Sequence, residues 1–452
     1  MFRTLCMIPL FLLLPLSAQQ RTVTGTVKDR ESGQPLPSAT VRIADSMQGT
    51  ITNTEGEFRL PVQGGNVILT ASYIGFESDS IRVESSGTAP VEFRLTANAV
   101  QLAAVTVTDE DPAYEIIRRA IESKKRWMAK LLTFEGKAFN RMEISTDSSI
   151  AAITEGYSTL YWKNGDSLRE VVTQQKQTGN LPAAMISART GDVVNFNDDR
   201  IRLGGFQFTG PTAPDAFDVY DYRLRSTRKM DGYDIHTIEL IPRSAVRPLF
   251  RGTISIAERS YAVMEVDVHP NEAVRQLFVN IPNSRYTQSF RLYDNTFWLP
   301  VSFRFEAEFL ISVAGLSFPA FGIERDVVVY DYRINPVFHD SIAALTKLTL
   351  DSSAVRYDSL FWAANEVLPL DSAQRTAYNT LDSTQTLEKR FAPKGAGGAL
   401  LGMSDGPLSF AEVWFNRVEG LHLGVSKTFR QVMDDVDVRG GIGYGLSDKD
   451  WK

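Results

Sequence analysis

The chain has 452 residues, of which 43% are hydrophobic and 23% are charged, and its formal net charge is −6. This composition excludes an intrinsically disordered chain and a protein built mainly of membrane-spanning helices. A sequence pI of about 5.5 gives no excess of positive charge for nucleic-acid binding. One cysteine and four histidines leave little material for thiol chemistry or soft-metal sites.

Residues 1–18 have the pattern of a secretory signal peptide. Arg3 precedes an apolar run from Leu5 to Leu16, and Ser17-Ala18 supplies the small residues of a cleavage site. The run is shorter than the ~20 apolar residues of a membrane-spanning helix. We therefore predict an exported chain that is cleaved after Ala18 and loses Cys6, with an uncleaved anchor as the alternative.

Residues 19–97 are predicted to form a β-sandwich, because short alternating segments are separated by turn sequences containing Gly33 and Gly56. The strings GTVKDRESGQPLPSATVRI, GTITNTEGEFRL and SYIGF resemble the carboxypeptidase-regulatory-like domain. That resemblance implies a seven-stranded, transthyretin-like sandwich of the kind found at the front of many exported outer-membrane proteins. It does not imply the catalytic part of a carboxypeptidase.

Residues 98–111 are predicted to be a linker, and residues 112–131 an amphipathic helix. Asp111 is a suitable N-cap and Pro112 suits the first helical position. Apolar residues follow at helical spacing, namely Tyr114, Ile117, Ile121 and Met128. The other face is basic, which fits either contact with anionic lipid head groups or the solvated side of a docked helix.

From residue 133 to about 335 the alternation predicts antiparallel strands. Four turn sequences divide them into hairpins, namely Asn164-Gly165, Asp231-Gly232, Arg259-Ser260 and Asp294-Asn295. The segment 174–216 has weak periodicity and is predicted to be a long loop or lid. One helix followed by this meander predicts, for residues 112–339, a curved antiparallel sheet with the helix against its concave face.

Two strings in this region, DYRLRSTRKMDGYDIHTIELIPRS and GTISIAERSYAVMEVDVHPN, resemble the repeated strand units of periplasmic lipoprotein carriers of the LolA/LolB type. The resemblance implies an apolar groove for an acyl chain or a lipoprotein. Plain core packing is the competing interpretation for the candidate groove residues, which are Trp162, Phe206, Phe208, Phe290, Trp298 and Phe303.

Residues 340–395 are rich in Asp, Ser and Thr and are predicted to be a polar helical linker. Asp-Ser motifs in it resemble the acceptor motif of a bacterial periplasmic O-glycosylation system. Asp-Ser is also ordinary cap and turn chemistry. The candidate modified residues are Ser341, Ser359, Ser372 and Ser383.

Residues 396–452 are predicted to contain the first strands of a transmembrane β-barrel. Leu421, Leu423 and Val425 alternate with small or polar residues, and a second strand repeats this pattern after residue 436. A hairpin on a soluble domain is the alternative. Because two strands cannot close a barrel, we expect the sequence to be an N-terminal fragment of a longer chain.

The sequence offers no convincing constellation for catalysis. Zinc carboxypeptidases use an H-x-x-E motif, which occurs at His236–Glu239 and at His269–Glu272. Residues three apart on a strand point to opposite faces, so the first pair cannot hold one ion without a bulge. The second lies in a turn without an obvious partner histidine. We predict no catalytic, cofactor-binding or metal site.

The order of sandwich, linker, helix, β domain and barrel strands resembles a family of uncharacterised envelope proteins. That family pairs a regulatory-like sandwich with a domain of unknown function and a C-terminal outer-membrane β-barrel. The resemblance implies a non-enzymatic outer-membrane protein with periplasmic binding or assembly modules. Its expected partners are outer-membrane lipid and a lipid, a lipoprotein or another envelope protein. The alternative is a TonB-dependent-type outer-membrane transporter for a carbohydrate or other nutrient, because the same sandwich precedes many of those.

Overall fold

The computed structural model describes most of residues 21–391 and the backbone of three strands between residues 411 and 445. The predicted signal peptide lies outside the described residues. No helix in the described ranges is long and apolar enough to cross a membrane. Within 21–391 the residues left undescribed are 45, 47, 64, 86–88, 99–100, 103–109, 147–148, 167, 182–193, 231–232, 275–278, 314–315 and 318.

The N-terminal region forms the predicted seven-stranded sandwich. Its strands are β1 (Arg21–Asp29), β2 (Thr40–Ile43), β3 (Gly49–Ile51), β4 (Glu57–Val62), β5 (Val67–Ser72), β6 (Asp79–Val83) and β7 (Val91–Leu95). One sheet has the order β4-β1-β7 and the other the order β3-β2-β5-β6. Alternate residues of β1 face the core, so Val23 and Val27 are buried between the two sheets.

Gly25 in the middle of β1 is required by a close approach of the backbone. A Cβ at this position would lie 2.0 Å from the carbonyl oxygen of Val91 and 2.7 Å from the ring of Phe58. Phe58 and Phe93 are almost fully buried, with ring centroids 6.0 Å apart. The glycine therefore makes room for the aromatic centre of the sandwich.

The predicted helix is present and begins where the sequence predicts. A short strand, β8 (Gln101–Leu102), precedes α1 (Pro112–Met128). The side chain of Asp111 accepts a hydrogen bond from the backbone N–H of Ala113, and Pro112 occupies the first turn. One basic residue of the predicted polar face is buried instead, because the Lys124 ammonium lies 2.7 Å from Asp199.

A single large sheet fills the middle of the chain. The elements that follow α1 are β9 (Thr133–Thr146), β10 (Ser149–Lys163), β11 (Arg169–Gln177), β12 (Arg200–Leu203), β13 (Phe206–Thr209), β14 (Tyr220–Met230), β15 (Tyr233–Pro242), β16 (Phe250–Ala257), β17 (Ala262–Pro270), β18 (Val279–Asn280), β19 (Arg285–Tyr293), β20 (Phe297–Val313), β21 (Leu316–Ser317) and β22 (Phe321–Ile334). The order is β11-β10-β9-β22-β20-β19-β17-β16-β15-β14-β8, with β18 and β21 paired to β20. All four predicted hairpins are confirmed by antiparallel pairing of the strands that flank them.

The segment 174–216, expected as a loop or lid, contains regular structure. Strand β11 extends to Gln177, and β12 and β13 form a separate hairpin. Phe196, Ile201 and Phe208 are buried in the main core. Their burial explains why residues 194–216 contain two four-residue strands, which the weak periodicity did not reveal. Residues 182–193 of the expected loop lie outside the described residues.

The two faces of the large sheet are covered by different parts of the chain. Helix α1 packs on one face, where Ala138, Val327 and Val329 join the main core. The neighbouring positions Phe139 and Val328 point the other way and form a second cluster. Ile51 of the sandwich belongs to this second cluster, so the sandwich packs on the face opposite α1.

The segment expected as a polar helical linker also packs on the face opposite α1. Residues 340–391, here named the strap, contain α2 (Asp340–Ala343), β23 (Leu348–Leu350), α3 (Ser359–Ala364), α4 (Ser372–Thr380) and α5 (Leu387–Arg390). Strand β23 pairs in parallel with the edge of β11. A few large apolar residues, among them Trp362 and Leu368, are buried against the sheet. These contacts hold a segment whose average composition is polar.

The two strands predicted after residue 420 are confirmed as a pair. They belong to a three-stranded antiparallel sheet, β24 (Ala411–Asn416), β25 (Gly420–Met433) and β26 (Val436–Gly445). The register sets Leu423 opposite Tyr444 and Val425 opposite Ile442. Mainly β architecture with a sandwich, a helix and a large sheet therefore agrees with the predicted fold class.

Candidate functional site

The structure places the six predicted groove residues in or against the main core. Phe208, Phe290 and Phe303 are buried, at 1%, 0% and 6% exposure. Trp162, Phe206 and Trp298 are partly buried and pack against the same cluster under α1. The six are brought together, but none of them lines the cavity described below. Their role as a groove stays a prediction.

The four candidate serines all lie on the exposed side of the strap. The aspartates before two of them act as helix caps: Asp358 accepts backbone hydrogen bonds at the start of α3, and Asp371 does so at the start of α4. The Ser372 hydroxyl donates to Glu55 of the sandwich. Cap chemistry therefore accounts for part of the motif, and glycosylation of Ser341, Ser359, Ser372 or Ser383 stays a prediction.

The two H-x-x-E motifs are engaged in separate local contacts. His236 pairs with Thr227 at 2.9 Å, and Glu239 forms an ion pair with Arg225. His269 donates to the backbone oxygen of Ser284 at 2.8 Å. Across the part of the chain that the structure describes, no group of three His, Cys, Asp or Glu residues is arranged to hold a metal ion.

A row of charged residues with alternating sign crosses five adjacent strands on the face opposite α1. The residues are directly opposite one another in the register, in the order Lys176, Glu155, Arg141, Asp326 and Arg304. Lys176 and Arg141 lie 2.7 and 2.8 Å from the Glu155 carboxylate, and Arg304 lies 3.0 Å from Asp326. Opposite charges at directly paired positions stabilise a sheet. We name this row the charge ladder.

The centre of the charge ladder is fully buried. The side chains of Arg141 and Glu155 are 2% and 1% exposed. Burial acts to raise the pKa of the Glu155 carboxyl, but Arg141 and Lys176 outweigh it, so this pKa lies below its ordinary value. Such a pair is costly to break, because either partner alone would be an uncompensated buried charge.

The strap closes over the ladder through hydrogen bonds to Arg141. The Arg141 guanidinium donates five hydrogen bonds, of which two go to Glu155 and three to the strap. The strap acceptors are the backbone oxygens of Leu368 and Pro369 and the side chain of Gln374. The Tyr378 hydroxyl donates to Glu155 at 2.7 Å. Arg141 thus links the sheet to the strap.

A cavity of about 270 Å³ lies beside the ladder, between the strap and strands β9–β11. Glu155 and Lys176 contribute its charged lining from the sheet. The Lys176 ammonium lies 4.3 Å from the centre of the Trp362 ring, close enough for a cation–π contact. Half of the remaining lining residues are aromatic, and the lining comes from both sides, namely Phe139, Tyr157, Tyr357, Ser359, Trp362, Ala363, Glu366 and Leu368.

The sandwich is bound to both the strap and the sheet. Thr54 donates to Asp371 at 2.6 Å, and Arg59 forms an ion pair with Glu366 at 2.5 Å. On the sheet, Arg291 donates to Thr40 at 2.9 Å. The three parts therefore make one interlocked unit with the cavity at their junction.

A half-buried carboxyl lies where the sandwich meets the sheet. Burial raises the pKa of Glu265 to about 7, and Asp267 adds to this, while Arg291, Arg285 and Arg228 act in the opposite direction. Tyr73 of the sandwich faces the same group, since Glu265 raises the pKa of that phenol further after burial has raised it. Docking of the sandwich therefore keeps a carboxyl in surroundings that disfavour its charge.

Sequence reasoning missed the charge ladder and the cavity. Pairing of Arg141 with Glu155 depends on the register of two long strands, and Arg304 lies on a strand far away in sequence. The local signals were present in part, because charged residues occur at these positions in strands that also carry apolar residues. Nothing in the sequence indicated that a polar segment would return to cover them.

Comparison with known proteins identifies two regions. Residues 23–107 match the CarboxypepD_reg-like domain, and residues 117–319 match the family of unknown function DUF5686. The chain is 38% identical over 85 residues to the TonB-dependent receptor SusC of Bacteroides thetaiotaomicron, covering 18% of this chain and 8% of that protein. It is 30% identical over 95 residues to the TonB-dependent receptor P3 of Formosa agariphila, covering 20% and 10%. The chain thus spans about a tenth or less of the length of these relatives.

An outer membrane lipoprotein-sorting protein domain from Vibrio parahaemolyticus is among the solved structures that resemble the chain. The similarity covers 50% of this chain and 96% of that domain at 11% identity, with a TM-score of 0.27. A TM-score this low carries no inference about function. The two sequence matches agree with the predicted pairing of a regulatory-like sandwich with a domain of unknown function.

Proposed function

We propose that this chain is the periplasmic, non-enzymatic part of an outer-membrane protein and that it acts as a binding and assembly module. A stretch of the chain is similar in sequence to part of TonB-dependent receptors, which are proteins of the outer membrane. The predicted signal peptide supports export.

The single observation that carries the proposal is the three-way junction of sandwich, sheet and strap. Each pair of these parts is joined by polar contacts at named residues, such as Thr54 with Asp371 and Arg291 with Thr40. In sequence, the strap is followed by strands β24–β26. A folded unit attached directly before such strands is suited to present a binding surface beside a membrane.

Fractionation of cells that produce the chain from its own start codon tests the proposal. We expect the protein without residues 1–18 to sediment with the outer membrane and to stay there after a high-salt wash. Recovery of the uncleaved chain in the cytoplasm would overturn the proposal. Deletion of residues 1–18 provides the control, because it should keep the chain inside the cell.

The finer proposal is that the face under α1 handles a lipid or a lipoprotein. The six apolar groove candidates lie together there, so an acyl chain would enter by displacing α1 from the sheet. A fluorescent fatty acid should bind the delipidated chain. Phe290→Ser should weaken this binding more than Val246→Ser, which changes an exposed site. If no fatty acid binds, the proposal of lipid handling is wrong. The broader proposal of a periplasmic binding and assembly module does not depend on this result.

A TonB-dependent-type transporter for a carbohydrate or other nutrient is the second candidate. The sequence similarity of the chain to two such receptors, over 95 and 85 residues, favours it. The helix and the long hairpins that follow the sandwich do not resemble the plug expected for that class. Uptake of a nutrient that depends on energy coupling through TonB would favour the transporter over the binding and assembly module.

A further inference from the structure

We propose that the cavity between the strap and strands β9–β11 is a binding site for a neutral saccharide ring. The cavity has about 270 Å³ and therefore lies at the lower end of the range for ligand sites. Its walls come from the sheet and from the strap, which are held together by Arg141. The site is thus part of the fixed structure and needs no rearrangement to exist.

The charges around the cavity favour a neutral ligand. Glu155 is paired with both Arg141 and Lys176, and Glu366 is paired with Arg59. Every charged side chain in the described lining therefore already has a partner of opposite sign. An ionic ligand would have to compete with these contacts and lose its own hydration, so it would gain little.

The uncharged groups fit a ring with an apolar face and polar edges. Phe139, Tyr157 and Trp362 supply aromatic surfaces. The buried indole N–H of Trp362 donates to no acceptor among the described residues. Tyr357 and Ser359 add hydroxyl groups at the exposed rim. A saccharide presents C–H groups to aromatic rings and hydroxyl oxygens to donors, and it would satisfy a buried donor that is costly to leave unpaired.

The experiment follows the indole N–H resonances of the full chain in a zwitterionic detergent without a sugar head group. The chain has six tryptophans, and Trp362→Phe identifies the resonance of Trp362. The probes are D-glucose, D-galactose and N-acetyl-D-glucosamine, with D-glucosamine and D-glucuronate as charged comparators. We expect at least one neutral probe to shift the Trp362 resonance saturably. Its affinity from this titration should be at least tenfold higher than that of either charged comparator.

Variants separate the role of the cavity from general stability. Trp362→Phe keeps an aromatic ring but removes the N–H, and should weaken binding of the neutral probe about fivefold to tenfold, measured by calorimetry. Ser359→Ala at the exposed rim should weaken binding without affecting folding. Trp127→Phe, on α1 at the opposite face of the sheet, is the matched control and should leave binding unchanged. Binding that is unaffected by both cavity variants would overturn the proposal.

The sugar can come from solution or from a sugar attached to Ser359 itself. Intact-mass analysis of the exported protein distinguishes these sources. An added mass that Ser359→Ala removes supports the attached source. The bare mass together with saturable binding supports the soluble source. The bare mass with no shift of Trp362 by any neutral probe, or equal binding of a charged comparator, would overturn the proposal while leaving the envelope location untouched.

Discussion

At the scale of single residues, the pair of Arg141 and Glu155 is the most demanding feature of the molecule. Both side chains are almost completely removed from water, and the guanidinium uses five hydrogen bonds. The pair is oriented by the register of β9 and β10, which sets the two residues directly opposite each other. The charges compensate each other within the sheet, and the strap completes the hydrogen bonds of the pair.

Arg141→Met should lower the free energy of unfolding by about 3–5 kcal/mol, because it leaves Glu155 as a buried charge with fewer partners. Urea unfolding followed by tryptophan fluorescence measures this loss. Arg200→Met, which breaks an exposed pair with Asp215, is the control and should cost less than about 1 kcal/mol. Adding Glu155→Gln to Arg141→Met should recover stability. A double variant that is less stable than the single one would contradict this explanation.

Glu265 gives the molecule a pH dependence with a definite sign. Its pKa is raised to about 7 in the folded state from its ordinary value of 4.5, so the folded chain binds this proton more tightly than the unfolded chain. The stabilisation is complete below about pH 4.5 and is lost as the pH rises through 7. Glu265→Gln should remove this contribution, so the variant should gain on the order of 2 kcal/mol relative to the wild type between pH 5 and pH 8. Denaturant unfolding at both pH values measures it, and an identical pH dependence of the two chains would refute it.

Helix caps were the residue-scale features that the sequence predicted best. Asp111 and Pro112 begin α1 as expected, because a cap depends only on neighbours in the chain. The six apolar groove candidates were grouped together by the sequence, but whether they line a groove or fill a core depends on what covers them. Alternation of polar and apolar residues shows which side chains share a face of a strand. It does not show which other part of the chain covers that face.

At the scale of elements, the hairpins were predicted from the residue types in their turns. Asp294 and Asn295 both have positive φ, 47° and 51°, as a tight two-residue turn requires. The strap was the element that the sequence did not reveal. Its average composition is polar, and it is fixed by a few distant contacts, such as that between Trp362 and Tyr157 with ring centroids 5.0 Å apart.

Asp371 should be the most sensitive position for docking of the strap. Its side chain accepts from the backbone N–H of Gln374 in a capping box and from the hydroxyl of Thr54. Asp371→Ala should cost about 1–2 kcal/mol and increase hydrogen exchange in α4. Asp351→Ala, which removes a cap from an exposed turn, is the control and should change exchange only near residue 353. Unchanged protection of α4 in Asp371→Ala would contradict the role of this cap in holding the strap.

At the scale of the whole molecule, we expect the sandwich, sheet and strap to unfold as one unit, because contacts at their junction join all three. The last contacts of the strap are made by Arg390, which donates to the backbone oxygen of Ile150 at 2.9 Å, and by Phe391, which packs against Phe321. The folded unit therefore extends at least to residue 391, directly after α5.

Removal of residues 392–452 should yield a soluble, monodisperse protein. The sequence of β25 and β26 alternates apolar with small or polar residues, and strands with an exposed apolar face associate in water. We expect residues 19–391 to be monomeric without detergent and residues 19–452 to associate, as measured by light scattering. A truncation at residue 387 should be less stable, because it removes Arg390. Equal monodispersity of the two longer chains would show that the last strands pack on the folded unit.

Labelling of single cysteines tests the central claim most directly, namely that the interlocked unit faces the periplasm. Ser32→Cys in the sandwich, Val246→Cys in the loop between β15 and β16, and Leu360→Cys in the strap are all at exposed positions. The native Cys6 lies in the predicted signal peptide and should be absent from the mature chain. We predict that all three react with a membrane-impermeant maleimide only after the outer membrane has been permeabilised. Reaction in intact cells, or reaction only after the inner membrane has been broken, would contradict the account.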